Sequence, residues 1–216
     1  MVKFLIAAIL LCNVPNKVFS QRNKAEILQP KILLRFNVLG LADPLDQNLS
    51  FGFEDHFHPN WSAGTDVAWV FNTNTVDHLK GVNGFIVRPF LRYYPKMHNS
   101  FWEAELHYKY VSYKIEDWLG RIPVNNIPTY LEFTTFNLQK QAAGIHIKWG
   151  FQSNLSRNQK LKFEYVTGIG VRFKWNKVDD GIYTIRREII NINNLSTGTY
   201  VSPIFLVNLR LVYALK

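Results

Sequence analysis

Residues 101–114 read Phe-Trp-Glu-Ala-Glu-Leu-His-Tyr-Lys-Tyr-Val-Ser-Tyr-Lys, and their alternation decides the fold. Trp102, Ala104, Leu106, Tyr108 and Tyr110 fall on one side of an extended chain, and Glu103, Glu105, His107 and Lys109 on the other. A period of two is the mark of a β-strand with two chemically different faces. Residues 161–175 repeat the scheme, with Leu161, Phe163, Tyr165, Ile169, Val171, Phe173 and Trp175 opposed to Lys162, Glu164, Gly168, Gly170, Arg172 and Lys174. No 3.6-residue stripe or heptad persists, whereas the period of two recurs throughout the chain.

Extending the same reading gives eight strands, at 31–39, 49–54, 61–71, 83–94, 101–114, 131–152, 160–175 and 202–215. The connections between them then alternate, with long ones at 40–48, 72–82, 115–130 and 176–201 and short ones at 55–60, 95–100 and 153–159. The short ones carry turn chemistry, such as His58-Pro59-Asn60. Alternating loop lengths predict an all-β, antiparallel up-and-down transmembrane barrel with short periplasmic turns, long extracellular loops and both termini in the periplasm.

On that reading Trp61, Tyr93, Trp102, Trp149 and Tyr213 form an aromatic belt near the short turns, and Trp69, Phe85, Tyr108 and Trp175 a second belt near the long loops. The inward face collects Arg35, Glu54, Asp66, Arg88, Arg92, Glu103, Glu105, His107, Lys109, His146, Lys148, Lys162, Glu164, Arg172 and Arg210. Eight strands leave a lumen that side chains fill. These charges are therefore expected to pair with one another and plug it.

The ends and composition set the address. Lys3, the apolar run Phe4–Cys12 and a polar stretch to Ser20 read as a cleavable secretory signal. Residues 21–30 would follow as a periplasmic segment, and 31–216 as the barrel. Cleavage removes Lys3 and Lys17 and leaves 23 basic against 16 acidic side chains, a charge of +7, and no cysteine. An exported domain without cysteine is no disulfide scaffold, and the reading favours a Gram-negative cell envelope, specifically the outer membrane.

Chemical motifs are sparse. Gly168-x-Gly170 lacks the third glycine of a dinucleotide fingerprint. His56-x-His58 abuts a turn without a third ligand, His98-Asn99-Ser100 sits in a periplasmic turn, and His107 has no serine beside it. No catalytic residue, metal or cofactor is expected, and the dispersed basic residues do not form a nucleic-acid surface. Lys80, Lys114, Arg121, Lys177, Arg186 and Arg187 would line the outer rim near the phosphates of lipopolysaccharide. The connections 115–130 and 176–201 are the surface offered to an extracellular partner, and the barrel would be a monomer.

The chain resembles the small eight-stranded outer-membrane β-barrel proteins common in Bacteroidota, many of unknown function. Ser50-Phe51-Gly52-Phe53-Glu54, the run Ile86 to Tyr94, Glu164 with Gly168-Ile169-Gly170, and a strand that closes the chain carry the resemblance. It implies the barrel fold and lends no catalytic residue. The close at Tyr213-Ala214-Leu215-Lys216 departs from the aromatic terminus usual in such barrels. The alternatives in other classes are an outer-membrane lipid hydrolase, which needs a converging nucleophile, base and acid, and a soluble lipocalin-like carrier, which needs the apolar faces turned inward.

Overall fold

The computed structural model describes residues 32–43, 45–74, 76–95, 99–183 and 195–215. The segments 1–20 and 21–30, together with His98, Arg186 and Arg187, lie outside them. Eight strands, β1 (Ile32–Asn37), β2 (Gln47–His58), β3 (Trp61–Asn72), β4 (Leu79–Tyr93), β5 (Ser100–Val124), β6 (Ile127–Asn154), β7 (Leu161–Val178) and β8 (Gly198–Ala214), pair in chain order. All neighbours are antiparallel, and β1 closes on β8 from Leu33↔Ala214 to Asn37↔Arg210. Closure leaves the barrel without a free sheet edge along its wall.

Glu103, Glu105, His107 and Lys109 are buried inside, while Trp102 is 52% and Leu106 57% exposed outside. The same split runs round the wall, with Phe51, Val67, Phe85, Ile145, Ile169 and Phe205 exposed. Pleating alone fixes this: a one-residue slip would exchange every inward charge for an outward ring.

The connections depart from strict alternation. At one end they span 38–46, 73–78, 125–126 and 179–197, and at the other 59–60, 94–99 and 155–160. The first of these begins with a 3-10 turn, Val38–Ala42.

Residues 115–130 depart furthest from the loop that their sequence predicts. These residues are strand, paired from Ile115↔Phe136 to Val124↔Ile127 and turned by Asn125 and Asn126 at φ 52° and 63°. Two consecutive left-handed residues make a type I′ hairpin turn, which asparagine tolerates. The sequence signal was present in Asn125-Asn126, but Gly120, Pro123 and Pro128 masked it, because proline ordinarily argues against strand. Here the prolines face each other in register as Pro123↔Pro128, beyond the wall where, among the described residues, no third strand asks for the N–H that proline lacks.

β4 stops pairing with β5 at Ile115 and β7 stops pairing with β6 at Leu138, so residues 116–137 project past the rim as a two-stranded arm. The β7–β8 connection braces its base. Gly120 and Ile182 exchange backbone hydrogen bonds of 2.9 and 2.8 Å, and the Tyr183 ring lies 5.1 Å from Phe136 while its hydroxyl donates to Asp117. Burial and the neighbouring Asp117 carboxylate push the Tyr183 phenol up, keeping it a donor. Of the connection 176–201, offered from sequence as a partner surface, residues 184–194 lie outside the described residues.

Because the arm's tip pairs only with itself among the described residues, Asn125→Val with Asn126→Val should fray it at a cost of about 1–2 kcal/mol per residue without unfolding the barrel. Hydrogen exchange should rise at 120–132 while the amides of β2–β4 keep their protection.

Candidate functional site: the charged lumen

The inward side chains of β5 change character along the strand. Phe101 begins the series, Glu103 to Lys109 follow, and Val111, Tyr113, Ile115 and Leu119 end it, all buried. Phe101 packs with Tyr94 and Val166 at the short-turn end. At the other end Val111, Tyr113, Ile115 and Leu119 join Val70, Ile86, Phe136, Leu138, Tyr183 and Leu195 in an apolar cluster. The charged layer is thus shut between two apolar ones. Sequence reasoning gave the lumen as uniformly polar and missed this second plug, although Val111, Tyr113 and Ile115 continue the odd-numbered face without a break.

Within the charged layer Arg92 is the hub. Its Nη1 donates to Glu54 and Glu164 and its Nη2 to Glu164, each at 2.9 Å, and its Nε donates to Glu103 at 2.6 Å. Arg210 forks onto both Glu103 oxygens at 3.0 and 3.1 Å, and Arg35 reaches Asp66 at 3.0 Å. Lys148 bridges Glu103 and Glu105. Neutral donors complete the set: Ser62 and Tyr94 hydroxyls donate to Glu54 at 2.6 and 2.5 Å, and Gln152 donates to Glu164 at 2.7 Å. The guanidinium of Arg35 stacks 3.9 Å over Phe90 and that of Arg92 3.9 Å over Phe101. Arg35, Arg92, Arg210 and Lys148 face Glu54, Asp66, Glu103, Glu105 and Glu164, so the layer is close to neutral and every ion has a partner. That balance is what lets charge survive where an isolated ion would cost several kcal/mol.

Four glycines create the room. Gly52, Gly144, Gly168 and Gly170 lie opposite Asp66, Arg172, Lys148 and His146 in register. A Cβ on any of them would meet that partner's side chain at 1.8 to 2.8 Å. Gly168-x-Gly170, weighed above as a fragment of a nucleotide motif, is space for Lys148 and His146.

A second group forms at the loop end. Asp46 accepts from Lys109 and from the Tyr113 hydroxyl at 2.6 Å, with Lys140 at 3.6 Å. Burial alone would raise the Asp46 carboxyl, but Lys109 and Lys140 outweigh it and hold it below the usual range. Asp46 and Lys140 were absent from the sequence-derived set. Asp46 precedes the strand assigned there, whereas Lys140 shares the even-numbered face of His146 and Lys148 and was legible.

Of the residues assigned inward from sequence, Arg35, Glu54, Asp66, Arg92, Glu103, Glu105, His107, Lys109, His146, Lys148, Glu164 and Arg210 are buried, and Arg88, Lys162 and Arg172 half-buried. His146 Nδ1 lies 2.9 Å from Glu105, and Arg172 Nε donates to His146 Nε2 at 3.1 Å. His56 and His58 do not converge: His56 stacks on Tyr94, and His58 Nδ1 accepts the Asn60 N–H. Ser100 opens β5 at the short-turn end, far along the strand from His107.

The outward aromatics fall into register rows. Trp61, Tyr93, Trp102 and Trp149 are consecutive partners across β3–β6, and Trp69, Phe85, Tyr110, Gln141 and Trp175 across β3–β7. Tyr108 lies one row below the second, and Tyr213 is exposed near the end of β8. No family model matches the chain, and neither a curated protein nor a solved structure does.

Arg92→Met would take from Glu164 its bidentate cation and from Glu54 and Glu103 one partner each, and should cost about 3–5 kcal/mol, read as a lower urea midpoint. The same substitution combined with Glu164→Gln should recover part of the loss, since one orphaned carboxylate is removed with the guanidinium.

Proposed function

We propose that this chain is a monomeric outer-membrane β-barrel with a sealed lumen, whose role at the cell surface is structural or one of binding through its outer connections, and which performs no catalysis. The observation that carries the reading is the inversion of a water-soluble protein: rings and aliphatic chains outside, ion pairs inside. Ile145 is 61%, Ile169 67% and Phe205 71% exposed, while Arg92 and Glu164 are wholly buried. In water such a wall would be a contiguous apolar surface with nothing to cover it. Hydrocarbon covers it without cost.

The dimensions support the same reading. Trp61 and Trp69 are eight residues apart on β3, roughly 27 Å along a strand and about 20 Å along the barrel axis at the usual tilt, near the height of the apolar band of such barrels. Between the aromatic rows the wall is Ala63, Thr65, Val67 on β3 and Ala104, Leu106, Tyr108 on β5. Above them, Ser112, Lys114, Glu116, Thr135, Asn137 and Gln139 form a polar zone suited to headgroups. A lipocalin-like carrier needs an apolar cavity where this barrel has its ions.

Contact with lipopolysaccharide phosphates would fall to Lys114 and Lys177, which are exposed near the rim. Lys80 and Arg121 are engaged with Glu116 and Glu132, each at 2.7 Å. For a protein partner the arm 116–137 replaces the loop 115–130 as the surface on offer, with Trp118, Ile122, Val124, Ile127, Leu131 and Phe133 exposed.

Cell fractionation with gel migration of boiled and unboiled samples tests the address. The chain should pellet with the outer membrane and shift its apparent mass on heating, and recovery in the soluble periplasm would overturn the reading. Leu106→Arg should lower stability in bilayers by about 2–4 kcal/mol, whereas a soluble barrel would tolerate an arginine at this exposed position.

A further inference from the structure

The hub around Arg92 also holds orphaned atoms, Arg35 Nε and Nη1, Asp66 Oδ1 and Arg210 Nε, but each of those ions has an oppositely charged partner, whereas among the described residues Arg88 in the layer above has none. His107 is buried, and neither ring nitrogen has a hydrogen-bond partner. Buried polar groups left in that state are rare and each costs about 1–3 kcal/mol. Its neighbours share the deficit. Val87 pairs with Tyr108 and Phe90 with Glu105, which sets Arg88 across from His107 on β4. Arg88 donates one Nη to the Ser50 hydroxyl at 2.6 Å, but its buried Nε has no acceptor. On the other flank His107 faces Gly144, and Gly144 faces Arg172. A Cβ on Gly144 would meet Arg172 Cγ at 2.8 Å, so the Arg172 side chain lies across the glycine, and its Nε reaches His146, whose ring is 5.1 Å from that of His107. Among the described residues neither Arg88 nor Arg172 forms an ion pair with a carboxylate, the two Glu105 oxygens being taken by His146 and Lys148.

From these facts we infer that the lumen holds a small monovalent anion, of halide size, between Arg88, His107 and Arg172. Every unmet group there includes a donor: the Arg88 Nε–H and the one N–H of a neutral imidazole, beside two guanidinium charges. An anion accepts from both and supplies the missing negative charge. Size follows from the layers: the apolar clusters above and below close the lumen to bulkier anions.

A transition-metal ion is the competing occupant, since Glu105, His107 and His146 bring potential ligand atoms within 4.8 Å of one another. Two of the three are already committed. Arg172 donates to His146 Nε2, so the His146 proton sits on Nδ1 and goes to Glu105, whose other oxygen takes Lys148. A cation would have to break those bonds and sit among Lys148, Arg88 and Arg172. The site lies in the lumen and holds whatever covers the outer wall.

The test is to refold the full mature chain in detergent in sodium bromide, sodium chloride or sodium gluconate at equal concentration, gluconate being too bulky to enter. The thermal midpoint in bromide and in chloride should exceed that in gluconate by about 5 °C. The difference should vanish in His107→Phe and in Arg88→Leu, and survive in part in His107→Gln, which keeps an N–H donor. Crystals grown from bromide should show an anomalous peak between His107 and the two guanidiniums. Equal midpoints in all three salts with no peak would overturn the proposal. So would zinc raising the midpoint in gluconate with its own anomalous peak at Glu105, His107 and His146.

Discussion

The structure depends on the desolvation of one guanidinium. Arg92 is wholly buried and is held by Glu54, Glu103 and Glu164 from β2, β5 and β7. Strands remote in sequence are tied through it across the barrel centre, where no backbone hydrogen bond reaches. In a low-dielectric interior each of these bonds is stronger than in water, and each would be expensive to leave unmade. A buried network of this kind specifies one register, because a slip that turned any member outward would orphan the rest.

The apolar layers make that network possible and limit it. Phe101 and Val166 beneath, with Val111, Ile115 and Leu138 above, keep the ions from water. The lumen therefore has the chemistry of a sealed plug and lacks that of a conduit. The outer wall follows from the same pleat, since every strand that sends a glutamate or arginine inward presents its alternate residues outward. Surroundings less polar than water would suit that wall, and this is the physical root of the membrane location proposed for it.

Much of this was legible before any coordinates. The alternation in 101–114 and 161–175 is enough to predict the strands, their faces and the inward ions, because a period of two survives errors in strand ends. The arm at 116–137 was not legible, because Gly120, Pro123 and Pro128 read as breakers. Among the described residues no third strand pairs with them there, which makes the prolines harmless. Asp46 was missed because it enters the lumen from a connection, where alternation gives no guidance. The upper plug is masked because Val111, Tyr113 and Ile115 are apolar on the face whose last charge is Lys109, so the inward face there looks like the outward one. The exchange of an inward glycine for a partner's long side chain is a pairing property, invisible until the register is known.

The orientation of the two faces is tested most directly by nitroxide labels at single cysteines in a background with Cys12 replaced, reconstituted in bilayers. Labels at positions 106, 145, 169 and 205 should collide freely with oxygen and scarcely with a water-soluble nickel chelate. Labels at the aqueous positions 125 and 180 should show the reverse. Free access of the chelate to 106, 145, 169 and 205 would place the apolar wall in water and contradict the account.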